Sequence, residues 1–164
     1  LVTLRSYRHG ETIVPPGCGV VPYDERMQHM NGMDILISAT TSPHYTVTAD
    51  QLACNVGSGL VSVFATPMMI AAIENTAAGS VAPHLEEGKT TVGTLVNVSH
   101  VSATPEGMEV RIETELTEIA PNGKILTFKV AAYDEAGLIG EGTHQRAVVA
   151  KERFEQKAQA KKNA

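Results

Sequence analysis

The chain has 164 residues, a net charge of −5, 43% hydrophobic residues and 4% aromatic residues. That length and apolar share fit one domain with its own core and exclude a disordered chain. The acidic balance argues against a nucleic-acid partner, and a chain without Trp is poor in stacking platforms.

Apolar runs such as 68–73 fall well short of the roughly 20 residues a membrane span needs, so no membrane partner is expected. Two cysteines, Cys18 and Cys54, do not make a disulfide framework. No basic-then-apolar export pattern opens the sequence, and a reducing cytoplasmic location is expected.

Residues 1–42 show no sustained periodicity and are broken by Pro15, Pro16 and Pro22. They read either as a poorly ordered arm or as sequence upstream of a true start at Met27, Met30 or Met33. Residues 43–155 read as the functional domain and 156–164 as a charged tail.

Tyr45-Thr46-Val47-Thr48 is a short β-prone run. Thr48-Ala49-Asp50-Gln51 fits a capping box ahead of a short helix to about Val56, which Gly57-Ser58-Gly59 ends. Leu60 to Phe64 reads as a strand or extended stretch. Thr66-Pro67 is a helix start, with Thr66 expected as the N-cap. The run from Pro67 to about Val81 is apolar nearly all round, so a helix wrapped by other structure is predicted. Gly79 and Pro83 mark its end.

The remainder alternates in the manner of strands. Runs at 90–101, 108–116, 126–133 and 138–149 are separated by Thr104-Pro105-Glu106-Gly107, Pro121-Asn122-Gly123-Lys124 and Asp134-Glu135-Ala136-Gly137. Lys151 to Ala164 is a charged, alanine-rich helix whose basic residues read as a solvated face. One long helix with four consecutive strands gives an α+β fold, an antiparallel β-sheet curved around one central α-helix.

Glu74 is the one charge inside the apolar helix. A carboxylate there is costly unless it is paired or hydrated, so Glu74 either works in a site or faces a polar cavity or caps a loop. Thr66 is explained by capping alone, yet a helix N-terminus also gathers N–H groups suited to an oxyanion. His100 ends a strand before a turn. Gly93 lies mid-strand, where glycine marks a bulge or a close approach. Gly140, Gly142, His144 and Arg146 share the last strand, which reads in isolation as a bulged edge strand with solvated charge. The histidines and cysteines lack metal-ligand spacing, so no metal is expected.

Taken in order, Val63-Phe64-Ala65-Thr66-Pro67, Ile73-Glu74, Thr91-Val92-Gly93-Thr94, Val98-Ser99-His100, Ala103-Thr104-Pro105-x-Gly107, Gly140-Glu141-Gly142-Thr143-His144-Gln145-Arg146 and Arg153-Phe154 resemble the hotdog-fold acyl-CoA thioesterases of the fluoroacetyl-CoA thioesterase-like group. The resemblance spans roughly residues 44–155. It implies a hotdog fold, Thr66, Glu74 and His100 as the catalytic set, and Gly93 and Arg146 at the acyl and thioester site. It also implies a homodimer, with pairing into tetramers left open, and no cofactor beyond the CoA of the substrate. The fluoroacetate-specific type carries lid phenylalanines upstream of its threonine. Gly57 and Leu60 stand at those positions here, which implies a different acyl group.

Thr66 and Glu74 are eight residues apart, which is about 12 Å along a straight helix. That is too far for a hydrogen bond, and the resemblance to hotdog proteins implies two-fold dimers with sites at the interface, so a site shared across the two-fold axis is predicted. A non-catalytic hotdog module binding acyl-CoA is the alternative, since fold does not fix function. A hotdog hydratase would need an Asp and His pair near the helix, which the sequence lacks.

Overall fold

The computed structural model describes residues 28–30, 33–35, 40–41 and 44–163. The arm expected over 1–42, with Cys18, lies outside the described residues apart from three short strands. These are β1 (Gln28–Met30), β2 (Met33–Ile35) and β3 (Thr40–Thr41). β1 and β2 pair antiparallel as a separate two-stranded ribbon. β4 (Tyr45–Thr46) follows, then α1 (Ala53–Val56), which Gly57 ends in the left-handed conformation at φ 76°. Gln51 does reach back as expected, its side-chain oxygen accepting the Thr48 N–H at 3.1 Å. The Thr48 hydroxyl donates to Asp50.

The long helix is α2 (Thr66–Val81). Four strands follow: β5 (Lys89–His100), β6 (Glu109–Ile119), β7 (Ile125–Asp134) and β8 (Gly137–Ala150). Their alternation and their turn residues place them close to where the sequence predicts. Asp134 secures the β7–β8 turn, its Oδ1 accepting the N–H groups of Ala136 and Gly137. Its Oδ2 accepts from the buried Thr104 hydroxyl at 2.8 Å, tying the 101–108 loop to the sheet. α3 (Lys151–Ala160) is exposed along its whole length, in keeping with a solvated tail.

The sheet runs β3-β6-β7-β8-β5, all antiparallel, with β4 also on β6. α2 packs on its inner face. Met69, Ile73, Ala77 and Val81 recur every four residues and are fully buried against Val110, Ile112, Leu126, Phe128, Val130 and Ile139. Each large side chain so buried contributes about 1.5–3 kcal/mol.

Of the two readings of 60–64, the strand is not formed: the stretch joins no ladder and makes only the isolated bridges of Leu52 with Phe64 and Val63 with Pro105. One expectation changes here: the helix is not wrapped all round within one chain. Ala71 is exposed, and Met68, Ile70, Ala72 and Ala78 are only half-buried, because one sheet covers one face of a helix. No helix among the described residues is long and apolar enough to cross a membrane.

Candidate active site

The N-cap of α2 is Ala65, not Thr66. Its carbonyl accepts the N–H groups of Met68 and Met69 at 2.9 and 3.0 Å. Thr66 is therefore the first helical residue, with Pro67 behind it, and its hydroxyl is released from capping. That hydroxyl meets His100 instead, with Oγ1 2.9 Å from Nδ1. β5 ends at His100, so the strand brings the imidazole to the start of the helix. The other ring nitrogen, Nε2, is shielded from solvent and has no hydrogen-bond partner among the described residues. Burial lowers the His100 pKa from its ordinary value, partly offset by the Ser102 backbone, so the ring is neutral at pH 7.

Two turns along α2, Glu74 meets Gly93. A Cβ built on Gly93 would stand 2.5 Å from Glu74 Oε1 and 3.3 Å from His144 Cε1. The carboxylate thus rests in space that only glycine leaves open. β5 is bulged just beyond: Gly93 faces Arg146 and Leu95 faces Gln145, leaving Thr94 as the extra residue.

Beneath Glu74 lies a buried polar cluster. Arg146 is only 6% exposed and His144 is fully buried. The guanidinium donates through Nε to Thr91 Oγ1 at 2.8 Å and through Nη2 to the Thr91 carbonyl at 3.0 Å. Nη1 donates to the Glu74 backbone carbonyl at 3.3 Å and lies 3.1 Å from His144 Nε2. His144 Nδ1 lies 2.8 Å from the Leu95 carbonyl. Burial lowers the Arg146 pKa, opposed by the Glu74 charge, and the guanidinium stays a cation. Burial also lowers the His144 pKa, against the pull of the Leu95 carbonyl.

The structure therefore brings Thr66 together with His100, and Glu74 together with Gly93 and Arg146. It does not unite the two groups within one chain. Leu60 is 99% exposed and packs on neither. Gly57 closes α1 at the start of the loop that carries Leu60. Thr91 and His144 join Arg146 in this cluster, although the sequence placed neither in the candidate site and read His144 as part of a solvated edge strand. β8 is an internal strand between β7 and β5, not a solvated edge, so Arg146 and His144 face inward. Their parity with Gly140 and Gly142 was the available signal. Among the described residues, no group of His, Cys, Asp or Glu is arranged to hold a metal ion, and Cys54 is an exposed free thiol.

A family model described as fluoroacetyl-CoA-specific thioesterase (FlK) matches residues 47–152. Over 99 residues, the chain is 39% identical to the fluoroacetyl-CoA thioesterase of Streptantibioticus cattleyicolor, covering 60% of this chain and 70% of that protein. A solved structure of the fluoroacetyl-CoA thioesterase FlK superposes with a TM-score of 0.72 at 31% identity, over 77% of this chain and 96% of the other. A hot-dog-like protein from Thermanaerovibrio acidaminovorans superposes with a TM-score of 0.68 at 18% identity, over 76% and 90% of the two chains, which bears on the fold alone. The α+β hotdog architecture is shared with both.

Proposed function

The chain belongs to the fluoroacetyl-CoA-specific thioesterase family, and from that premise we propose that its two half-sites meet across a two-fold dimer to hydrolyse an acyl-CoA thioester. It is a thioester hydrolase. The observation that carries the shared site is the division of the helix. Thr66 holds His100 at its start, while Glu74 sits on Gly93 about 12 Å further along the axis. A two-fold partner would set the Thr66 end of one chain against the Glu74 position of the other.

Two surfaces support that pairing. β5 stands at the end of the sheet, and among the described residues nothing pairs with its outer edge. Its residues 93–97 are exposed on both faces, Leu95 and Val96 among them. A long apolar edge is an association surface unless it is covered. The half-buried side of α2, with Met68, Ile70, Ala72 and Ala78, is the second apolar face.

In this reading Glu74 acts as general base on water, which attacks the thioester carbonyl. N–H groups at the start of α2 or beside Gly93 hold the oxyanion. The tetrahedral intermediate collapses with loss of the CoA thiolate, and His100 relays the proton that the thiolate takes up. Thr66 orients His100 and the water. The alternative chemistry, direct attack by the Glu74 carboxylate, uses the same residues. Leu60, exposed on the loop that follows Gly57, lies over the acyl group once the dimer is formed. A leucine there in place of an aromatic ring favours an acyl group other than fluoroacetyl.

The test is release of free thiol from a panel of acyl-CoAs, short to long and including phenylacetyl and fluoroacetyl, with wild type beside Glu74→Gln. Turnover that collapses in the variant supports the scheme and identifies the acyl group. A folded protein that binds acyl-CoA without releasing thiol would replace hydrolysis with ligand binding.

A further inference from the structure

His144 takes no part in the chemistry above, yet its ring is fixed from both sides. The bulge at Thr94 interrupts the β5–β8 ladder. There the Leu95 carbonyl faces His144 Nδ1 at 2.8 Å. A carbonyl only accepts, so Nδ1 carries a proton. On the opposite edge, Arg146 Nη1 stands 3.1 Å from Nε2. A guanidinium only donates, so Nε2 must offer a lone pair. One species satisfies both contacts, the neutral ring protonated on Nδ1. An imidazolium would set an N–H against the Arg146 N–H group.

The ring's partner leads to the helix. With Nε and Nη2 directed to Thr91, Arg146 turns Nη1 towards both His144 Nε2 and the Glu74 carbonyl. A continuous set of contacts therefore runs from the bulge through the imidazole and guanidinium to the turn of α2 that carries Glu74. The ring also bounds the carboxylate's space directly, since its Cε1 and Glu74 Oε1 both border the position that a Cβ on Gly93 would take, at 3.3 and 2.5 Å.

We propose that His144 is a positioning residue for the hydrolysis: as the neutral Nδ1–H tautomer it aims Arg146 at the Glu74 turn and so fixes where the Glu74 carboxylate lies. The kinetic consequence rests on the thioesterase reading, whereas the proton assignment does not.

Two measurements test it. The first is nitrogen NMR of the His144 ring in the wild-type protein at neutral pH. A protonated Nδ1 beside a bare Nε2 is expected, and a proton on Nε2 overturns the proposal. The second is kinetics of two variants. His144→Phe keeps a ring beside Phe128, which stacks on His144 at 6.3 Å, but offers Arg146 no acceptor. His144→Gln restores an acceptor. A base displaced by about 1 Å costs roughly 100-fold. His144→Phe is expected to lower kcat about 100-fold with KM within about threefold, and His144→Gln to recover at least about tenfold of the loss. Equal losses in the two folded variants, or wild-type kcat in His144→Phe, overturn the positioning role. If His144→Phe does not fold, the NMR assignment and His144→Gln decide. If wild type releases no thiol from any acyl-CoA, the functional reading fails, and the NMR result alone decides the tautomer.

Discussion

Thr66 Oγ1 and His100 Nδ1 meet at 2.9 Å across 34 residues of chain, joining the first residue of α2 to the last residue of β5. Because Ala65 caps the helix, the Thr66 hydroxyl is free for this contact. Removing it should cost activity and not stability. Thr66→Val is expected to lower kcat about 100-fold, within the range of a lost proton-relay contact. Its melting temperature should stay near that of wild type, since surface substitutions away from caps change stability by about 0.5 kcal/mol or less. Thr66→Ser keeps the hydroxyl and should retain most of the rate. Steady-state kinetics beside thermal unfolding checks all three.

Gly93→Ala tests the other half-site without touching a titratable group. The new Cβ would fall 2.5 Å from Glu74 Oε1, the far end of a flexible side chain. The carboxylate can swing aside, so the fold should survive. Gly93 does not take a positive φ, so alanine meets no left-handed strain there. The expected outcome is a kcat about 100-fold lower from a displaced base, with unfolding close to wild type. A fully active Gly93→Ala would show that the carboxylate need not lie against this strand.

The two histidines set an acid limit. Burial lowers both pKa values from 6.5 in the folded chain. In the unfolded chain the rings take up protons near the ordinary value. Below about pH 6.5 the unfolded state thus binds more protons, and stability falls as pH drops towards the lowered values. Above it, this contribution is fully present. The melting temperature should therefore be lower at about pH 5.5 than at about pH 7.5, and His100→Asn should narrow the difference. On the proposed scheme, in which His100 relays protons as the neutral ring, activity should fall along an acid limb centred below about pH 6.5. An acid limb centred above that value would mean that His100 gains a proton more readily than its burial allows.

Much of the architecture was legible because local signals agreed. Thr66-Pro67 opens α2, and the turns at 104–107, 121–124 and 134–137 separate strands whose alternation matches a sheet with one covered face. Contacts distant in sequence were harder to read. Ala65 caps the helix through its own extended backbone, and what the Thr66 hydroxyl meets depends on where His100 arrives, 34 residues later. The burial of His144 depends on β8 lying between β7 and β5, which no local pattern states. Glu74 stood out because one charge in an apolar helix needs a reason. The resemblance marked Gly93, but only the structure shows that its missing Cβ is the space Glu74 fills. The stretch 60–64 read as a strand or an extended segment because Leu60, Val61, Val63 and Phe64 are β-prone, and it finds no ladder partner and leaves Leu60 and Val61 exposed.

The division of the site between Thr66 with His100 and Glu74 with Gly93 yields a test of dimer sharing that needs no structure of the dimer. Suppose each site takes Thr66 and His100 from one chain and Glu74 from the other. A heterodimer of Thr66→Ala and Glu74→Gln chains then carries both substitutions in one site and none in the second. Random exchange makes half of the dimers mixed, so about a quarter of wild-type activity should appear from two nearly inactive parents. His100→Ala should complement Glu74→Gln in the same way. It should fail to complement Thr66→Ala, because Thr66 and His100 bond within one chain. If each site instead used Thr66, His100 and Glu74 of a single chain, no pair would recover activity. Mixing the purified variants under conditions that allow subunit exchange, with thiol release as the readout, separates the two arrangements.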